Sequence, residues 1–345
     1  MSMSASRSLG TTAARSFTAL WLLALLIAGG ACNGQGAAPA QPGTTSPGTN
    51  DPPTQTEAVF DGDAAFALLE AQCDFGPRVP GTEAHRKCGD WLLEKLAEYC
   101  DEAYAQEFTH VSTRAFPGQS FEMRNLVGII EPAGGAADDA REVVLLAHWD
   151  SRPFADHDPD PTKRDEPVLG ANDGASGVAG CLEIARALSV ERPPTRVIVL
   201  LTDGEDFGVS EPTLSEYFLG AKHFVRNLGD LDPKRGILLD MIGDDTLELG
   251  RERYSYNADP ALVERIWAKA AELGYGDVFG DTTYTVSDDH VPLIQAGIPT
   301  VDLIDWRPEV TRTYWHTTFD TPDRCSPDSL QAVGDVVLAV LREGI

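Results

Sequence analysis

The chain has 345 residues, of which 54 are acidic and 27 basic, giving a formal charge of −27 with 42% hydrophobic side chains. That hydrophobic content supplies a full core, and the length suits one large α/β domain once a leader and a linker are set aside. An acidic excess of this size excludes nucleic acid as a partner, because phosphate contacts need clustered Lys and Arg, and it disfavours docking on anionic lipid.

Residues 1–32 read as an export signal. Arg7 and Arg15 lead into an apolar stretch with Phe17, Leu20, Trp21, Leu22, Leu23, Leu25, Leu26 and Ile27, followed by the small residues Ala28, Gly29, Gly30 and Ala31. The run is short for a membrane span and has the layout of a secretory signal. Ala31-Cys32 resembles the end of a bacterial lipoprotein signal, in which Cys32 would carry the lipid. Gly29 stands where that pattern prefers a larger apolar side chain, and a plain cleaved signal is the alternative. The expected location is the bacterial periplasm or cell envelope, touching the membrane only through an anchor at Cys32. Residues 33–58 are dominated by Gly, Ala, Pro, Thr and Gln without apolar periodicity and read as a disordered linker. Residues 59–345 remain as the folded domain.

Apolar spacing predicts helices over 59–72 and 82–99. Between them, Phe75–Gly81 holds two Pro and two Gly in seven residues and reads as a loop. Strands are expected near 103–109 and 123–131. Four short apolar runs then set the architecture: Val143–Ala147, Val197–Leu201, Ile237–Leu239 with Met241 and Ile242, and Thr300–Ile304. Each is nearly continuous, as in strands buried on both faces. Helical stretches at 175–189, 215–228 and 260–273 lie between them. The alternation implies an α/β fold with a mostly parallel central sheet flanked by helices. Besides Cys32 there are Cys73, Cys88, Cys100, Cys181 and Cys325, an odd number that leaves at least one unpaired. Cys88 shares a helical face with Leu92 and Leu96 and reads as core. No Cys-x-x-Cys spacing occurs, so a thiolate metal site is not expected.

Chemistry-bearing residues sit where these runs end. The first is followed by His148-Trp149-Asp150 and the second by Asp203-Gly204-Glu205-Asp206. Asp240 closes the third, and Asp302, Asp305 and then His316 accompany the fourth. A Gly-rich loop, Gly170–Gly177 with Asp173 inside it, opens a helix between the first two. Ligands in open α/β sheets gather at the carboxyl ends of strands. Oxygen and imidazole donors without thiolate suit Zn²⁺ in a catalytic site that keeps one position open. The spacing alone leaves a set of surface-loop acids as the alternative. The acidic run Asp156-His157-Asp158-Pro159-Asp160 reads as a solvated loop and not as a calcium site.

The segments His148-x-Asp150, Gly170-Ala171-x-Asp173, Asp203-Gly204-Glu205-Asp206, Leu239–Gly243 and Trp315-His316-Thr317 resemble, in identity and order, the zinc aminopeptidase family that includes glutaminyl cyclases. The resemblance spans nearly all of 59–345. It implies one Zn²⁺ per chain, held by Asp173, Asp206 and His316, with Glu205 as general acid/base. Asp206 departs from the Glu commoner at its position and would need the backbone nearer the metal. His148 and Asp240 match residues that hold a second metal in two-metal aminopeptidases and are retained in single-zinc cyclases. Three features favour the cyclases. Ser287-Asp288-Asp289-His290 resembles their double-Asp motif, with Asp288 matching a catalytic Asp beside the acid/base; Asp240 carries a catalytic role in the same reading. Trp315 matches a substrate-pocket Trp. His148–Arg152 with the insert up to Gly170 has the cyclase layout. The Trp that animal cyclases carry after the second ligand is missing, and Trp306 or Phe207 are the candidates to fill its volume. His290 reads as structural. The activity implied is conversion of N-terminal Gln of peptides or proteins to pyroglutamate; a zinc aminopeptidase is the first alternative and a non-catalytic binding module the second.

Overall fold

The valine-, isoleucine- and leucine-rich runs form the middle of a six-stranded sheet. The computed structural model describes residues 58–135, 142–209, 213–311 and 313–345. The leader, Cys32 and all of the linker but Ala58 lie outside the described residues. The strands are β1 (Glu102–Val111), β2 (Ser120–Ile130), β3 (Glu142–His148), β4 (Arg196–Thr202), β5 (Pro233–Asp240), β6 (Leu249–Glu252), β7 (Phe279–Tyr284) and β8 (Thr300–Ile304). The large sheet has the order β1-β2-β4-β3-β5-β8, and β6 pairs with β7 separately. Strands β4, β3, β5 and β8 are mutually parallel, while β2 is antiparallel to β4 and β1 to β2. Every residue of β3 is buried. Its side chains divide between two apolar clusters, Val143, Leu145 and Ala147 on one face and Val144 and Leu146 on the other. Burial on both faces is why these runs show no polar alternation.

The helices are α1 (Gly62–Cys73), α2 (Glu83–Tyr99), α3 (Gly177–Val190), α4 (Leu219–Phe224), α5 (Arg253–Ala258), α6 (Pro260–Leu273), α7 (His290–Gln295), α8 (Pro308–Thr311) and α9 (Pro327–Glu343). Asp61, Thr82, Asp259 and Ser326 cap α1, α2, α6 and α9 by accepting from backbone N–H groups of the first turn. Buried helix α3 packs one face of the sheet so closely that a Cβ on Gly177 would lie 2.0 Å from the Leu239 carbonyl oxygen. That close approach fixes where the Gly-rich loop before α3 meets the ends of β3 and β5.

The structure corrects the sequence reading in places. The helix expected over 215–228 is only Leu219–Phe224, entered through Phe218 in a left-handed conformation, φ 59°. Met241 and Ile242 lie beyond β5, which stops at Asp240. Strands β6 and β7 and helices α5, α7 and α9 were not anticipated. In β7 only the first residue is buried, so it carries no apolar pattern to read. The five described cysteines are free thiols; burial pushes the Cys88 thiol up to about 12. Among the described residues no helix is long and apolar enough to cross a membrane.

Candidate active site

The parallel strands deliver the sequence-predicted residues to one edge of the sheet. His148 ends β3 and Asp240 ends β5, while Glu205 and Asp206 follow β4. A cavity of about 280 Å³ opens there, bordered by Asp173, Glu205, Asp206, Asp240, Asp288 and His316. Trp306, Trp315, Tyr217 and Phe218 form its aromatic wall. Phe218, Met241 and His316 have left-handed φ of 59°, 49° and 56°, and all three border the cavity. Such backbone costs about 1–3 kcal/mol per residue and persists where surrounding contacts fix it, commonly at functional sites.

Each ligand candidate is held by its neighbours. Asp173 sits on a kinked turn between Gly170 and Gly174, both left-handed at φ 69° and 100°. A Cβ on Gly174 would meet the Asp150 carbonyl at 2.8 Å. Asp320 accepts the Asn172 and Asp173 amides at 2.8 and 3.1 Å. Asp150 accepts the Glu205 and Asp206 amides at 3.1 and 3.3 Å. The Trp315 ring stacks on His316 at 3.6 Å between centroids and meets Trp306 edge-on at 4.9 Å.

Donor atoms of Asp173, Asp206 and His316 lie within 4.8 Å of one another, and so do those of His148, Asp173 and Asp240. Asp173 belongs to both groups. The residues fit a zinc ion: two carboxylates and an imidazole converge, and buried Asp206 Oδ2 makes no hydrogen bond of its own. His148 Nε2 lies 3.0 Å from Asp173 Oδ1 and 3.3 Å from Asp240 Oδ1. Burial opposes charge on His148, but hydrogen bonds to Asp150, Asp173 and Asp240 outweigh it and hold its pKa well above the ordinary value.

Glu205, Asp240 and Asp288 form the acidic floor. Burial, then the charge of Asp288, holds the Glu205 carboxyl well above the usual carboxylate range. Asp288 hydrogen-bonds Asp240 and is itself raised, by burial first and then by Asp240. Asp302 and Asp305, also at a strand end, stay outside the metal-donor groups. Asp302 faces His290 Nδ1 at 3.5 Å, and Asp305 binds Arg307 at 2.7 Å. His290 is wholly buried between Glu252 and Asp302. Of the two candidates for the missing Trp, Trp306 borders the cavity, whereas Phe207 packs into a separate cluster with Phe116 and Phe121. Asp158 is engaged by the Thr318 amide and hydroxyl at 3.0 and 2.7 Å and by the Asp160 amide at 2.9 Å. Its carboxylate is thus satisfied by turn donors. Sequence reasoning missed the supporting roles of Asp150, Arg152, Asp156 and Asp320. Asp150 and Arg152 lie inside the segment His148–Arg152 that carries the resemblance; Asp320 carries no local signal, because its partners are about 150 positions away in sequence and adjacent only in space.

Glu216 secures the aromatic wall. Its carboxylate accepts the Thr113, Arg114 and Ala115 amides at 2.5, 3.2 and 2.9 Å, tying the β1–β2 turn to the segment that carries Tyr217 and Phe218. Burial raises its pKa, but these amide bonds and His110 prevail and lower it from 4.5 to about 2. A depressed carboxyl stabilises the fold fully above its unfolded value, and that contribution is lost as pH falls from about 4.5 toward 2. Glu216→Gln should therefore lower stability at neutral pH and flatten the acid limb of a pH–Tm profile. Parallel profiles for the two proteins would refute the assignment.

The family pattern of peptidase family M28 matches residues 125–341. The chain belongs to peptidase family M28. Solved structures similar to it include a glutaminyl cyclase from Tannerella forsythia, 36% identical with a TM-score of 0.77 over 83% of this chain and 100% of that one. A Zn-dependent exopeptidase from Parabacteroides distasonis is equally similar, at 36% identity and TM-score 0.77 over 82% of this chain and 98% of that one. Aminopeptidase YwaD of Bacillus subtilis is 28% identical over 70% of this chain, but the match spans only 48% of that protein. M28 membership, together with the converging donor groups, supports a zinc-dependent enzyme with an aminopeptidase-like fold.

Proposed function

We propose that the protein is a glutaminyl-peptide cyclotransferase, converting N-terminal Gln of peptides or proteins to pyroglutamate with release of ammonia. The observation that carries this is the buried set Glu205, Asp240 and Asp288 in a small cavity walled by Trp306 and Trp315. Similarity to bacterial glutaminyl cyclases over almost their whole length supports it. Asp173, Asp206 and His316 would hold one zinc ion per chain, which supplies Lewis-acid polarisation of the substrate's side-chain amide carbonyl.

The chain's own residues do the rest. The cavity folds the Gln side chain back so that its amide carbon meets the α-amine, which turns ring closure into a positioned intramolecular step. The nitrogen–carbon bond forms as Glu205 takes the proton of the amine. Glu205 then returns that proton to the amide nitrogen, the carbon–nitrogen bond breaks, and ammonia leaves. Atoms balance without water. Asp288, bound to Asp240, sets the charge beside Glu205. The Trp rings exclude solvent that would otherwise compete.

An aminopeptidase remains the second reading, favoured by the His148–Asp173–Asp240 group and its shared carboxylate. In the cyclase reading the His148 ring, 3.0 Å from Asp173 and 3.3 Å from Asp240, stays between the carboxylates that a second ion would join. The test is a side-by-side assay with a metal count. Gln-peptides should lose the mass of one ammonia without releasing a free amino acid, with about one tightly bound zinc per chain. Amino acids released from Leu- or Ala-peptides, Gln-peptides left uncyclised and two tightly bound metals would establish the aminopeptidase instead. We further assign 1–32 to a signal of lipoprotein type, 33–58 to a linker and 59–345 to the catalytic domain of an exported enzyme.

A further inference from the structure

Two of the three ligand candidates are indexed by one buried guanidinium. Arg152 is 1% exposed and donates from Nη1 to Asp206 Oδ1 at 2.7 Å. The same nitrogen reaches the carbonyl oxygens of Asp206 and Gly208, both at 3.2 Å. On its other edge, Nε and Nη2 bind Asp156 Oδ1 and Oδ2 at 2.8 and 2.7 Å. Asp156 Oδ1 lies at an ion-pair distance of 3.4 Å from His316 Nδ1, a buried nitrogen that has no closer polar partner. His316 Nε2 faces the opposite way, 3.3 Å from Asp206 Oδ1. The four side chains close a ring: Asp206, Arg152, Asp156, His316.

We propose that Arg152 and Asp156 are positioning residues that set both the Asp206 and the His316 ligands, and that Arg152 is what lets an aspartate serve at position 206. The inference rests on the zinc reading of the site. Three physical points support it. A short Asp side chain places its oxygen correctly only if its backbone is held, and Arg152 grips the Asp206 and Gly208 carbonyls as well as the carboxylate. By occupying Asp206 Oδ1, Arg152 leaves Oδ2 without a partner and available to a cation. His316 stands at φ 56°, which requires outside support. Support comes from Asp156 at its ring and from the His157 amide, which donates to the His316 carbonyl at 3.1 Å. A carboxylate behind a ligating imidazole fixes its tautomer and aim, and a planar guanidinium can bind two carboxylates in a set geometry where an ammonium cannot.

The test is a chelator-competition titration of zinc on the full chain, with Co²⁺ spectra and apo-protein melting curves, for wild type, Arg152→Met, Arg152→Lys and Asp156→Asn. Asp156→Asn and Arg152→Met should each weaken zinc by about 10–100-fold, the usual cost of losing such a partner. Both should alter the Co²⁺ spectrum, and Arg152→Lys should recover only part of the affinity. The apo-protein of Asp156→Asn should melt close to wild type. If Arg152→Met does not fold, Asp156→Asn decides, because half-exposed Asp156 contributes little to the core. A zinc-binding wild type whose Asp156→Asn variant keeps full affinity and an unchanged spectrum overturns the proposal alone. So does an apo melting temperature that falls in step with affinity. A wild type that binds no zinc overturns the metal reading and the proposal with it.

Discussion

Glu205→Gln should lower the cyclisation rate by about 10²–10⁴-fold, the range that general acid–base catalysis contributes, while zinc affinity and fold are retained. The substitution keeps size and removes the carboxyl that accepts and returns the proton. Glu205 borders the cavity together with the ligand trio, and its amide stays bound to Asp150 whatever the side chain, so the loop that also carries Asp206 is not disturbed. The environment gives the carboxyl a proton-shuttling character: burial and Asp288 favour its neutral form, and a bound cation favours its ionised one. Single-turnover kinetics on a Gln-peptide, with zinc content measured on the same sample, checks the expectation. Turnover near wild type in the zinc-loaded variant would remove Glu205 from its role.

His316→Ala should abolish activity by a different route, through the metal. It removes an imidazole from a three-residue donor set and leaves Asp173 and Asp206 as two carboxylates without the neutral ligand between them. Loss of a ligand should cost zinc more than the about 10–100-fold expected for a supporting partner, so the variant should be purified nearly metal-free. Metal analysis after dialysis, and an attempt to restore activity with added zinc, separate this from the Glu205 effect. The wild-type enzyme stripped by a chelator should recover on zinc addition, whereas His316→Ala should not. Retention of stoichiometric zinc by His316→Ala would move the metal to the His148–Asp173–Asp240 group.

Asp173, Asp288 and His316 lie on loops and were legible only through the order of their short motifs, whereas Glu205, Asp206 and Asp240 were legible as candidates because they sit at or just after the end of an apolar run. The sheet was legible for the same reason: Val143–Ala147 and Val197–Leu201 are buried on both faces, and continuous apolarity is a local signature. Helix α9 also carries a helical apolar pattern, with Leu330, Val333, Val337 and Leu341 buried, and could have been read. The supporting residues were not legible in that way. Asp320 beneath Asp173, Glu216 behind the aromatic wall and Asp156 behind His316 are acids on loops, indistinguishable by composition from the solvated acids that give this chain its charge. Their value comes from partners about 100 to 160 positions away in sequence.

The sequence by itself determined the layered fold, the edge of the sheet where chemistry collects and the residues that end each strand, because strand burial and motif order are written locally. Tertiary structure alone decided that Asp173 is shared between two donor groups, that Trp306 and not Phe207 borders the cavity, that Asp302 and Asp305 turn aside, and that Arg152 joins Asp206 to Asp156, the carboxylate facing His316. Those are distances between atoms on different elements. They are set by the packing of α3 against β5, the left-handed turns at Met241 and His316, and buried ion pairs that form only after the chain has brought its strand ends together.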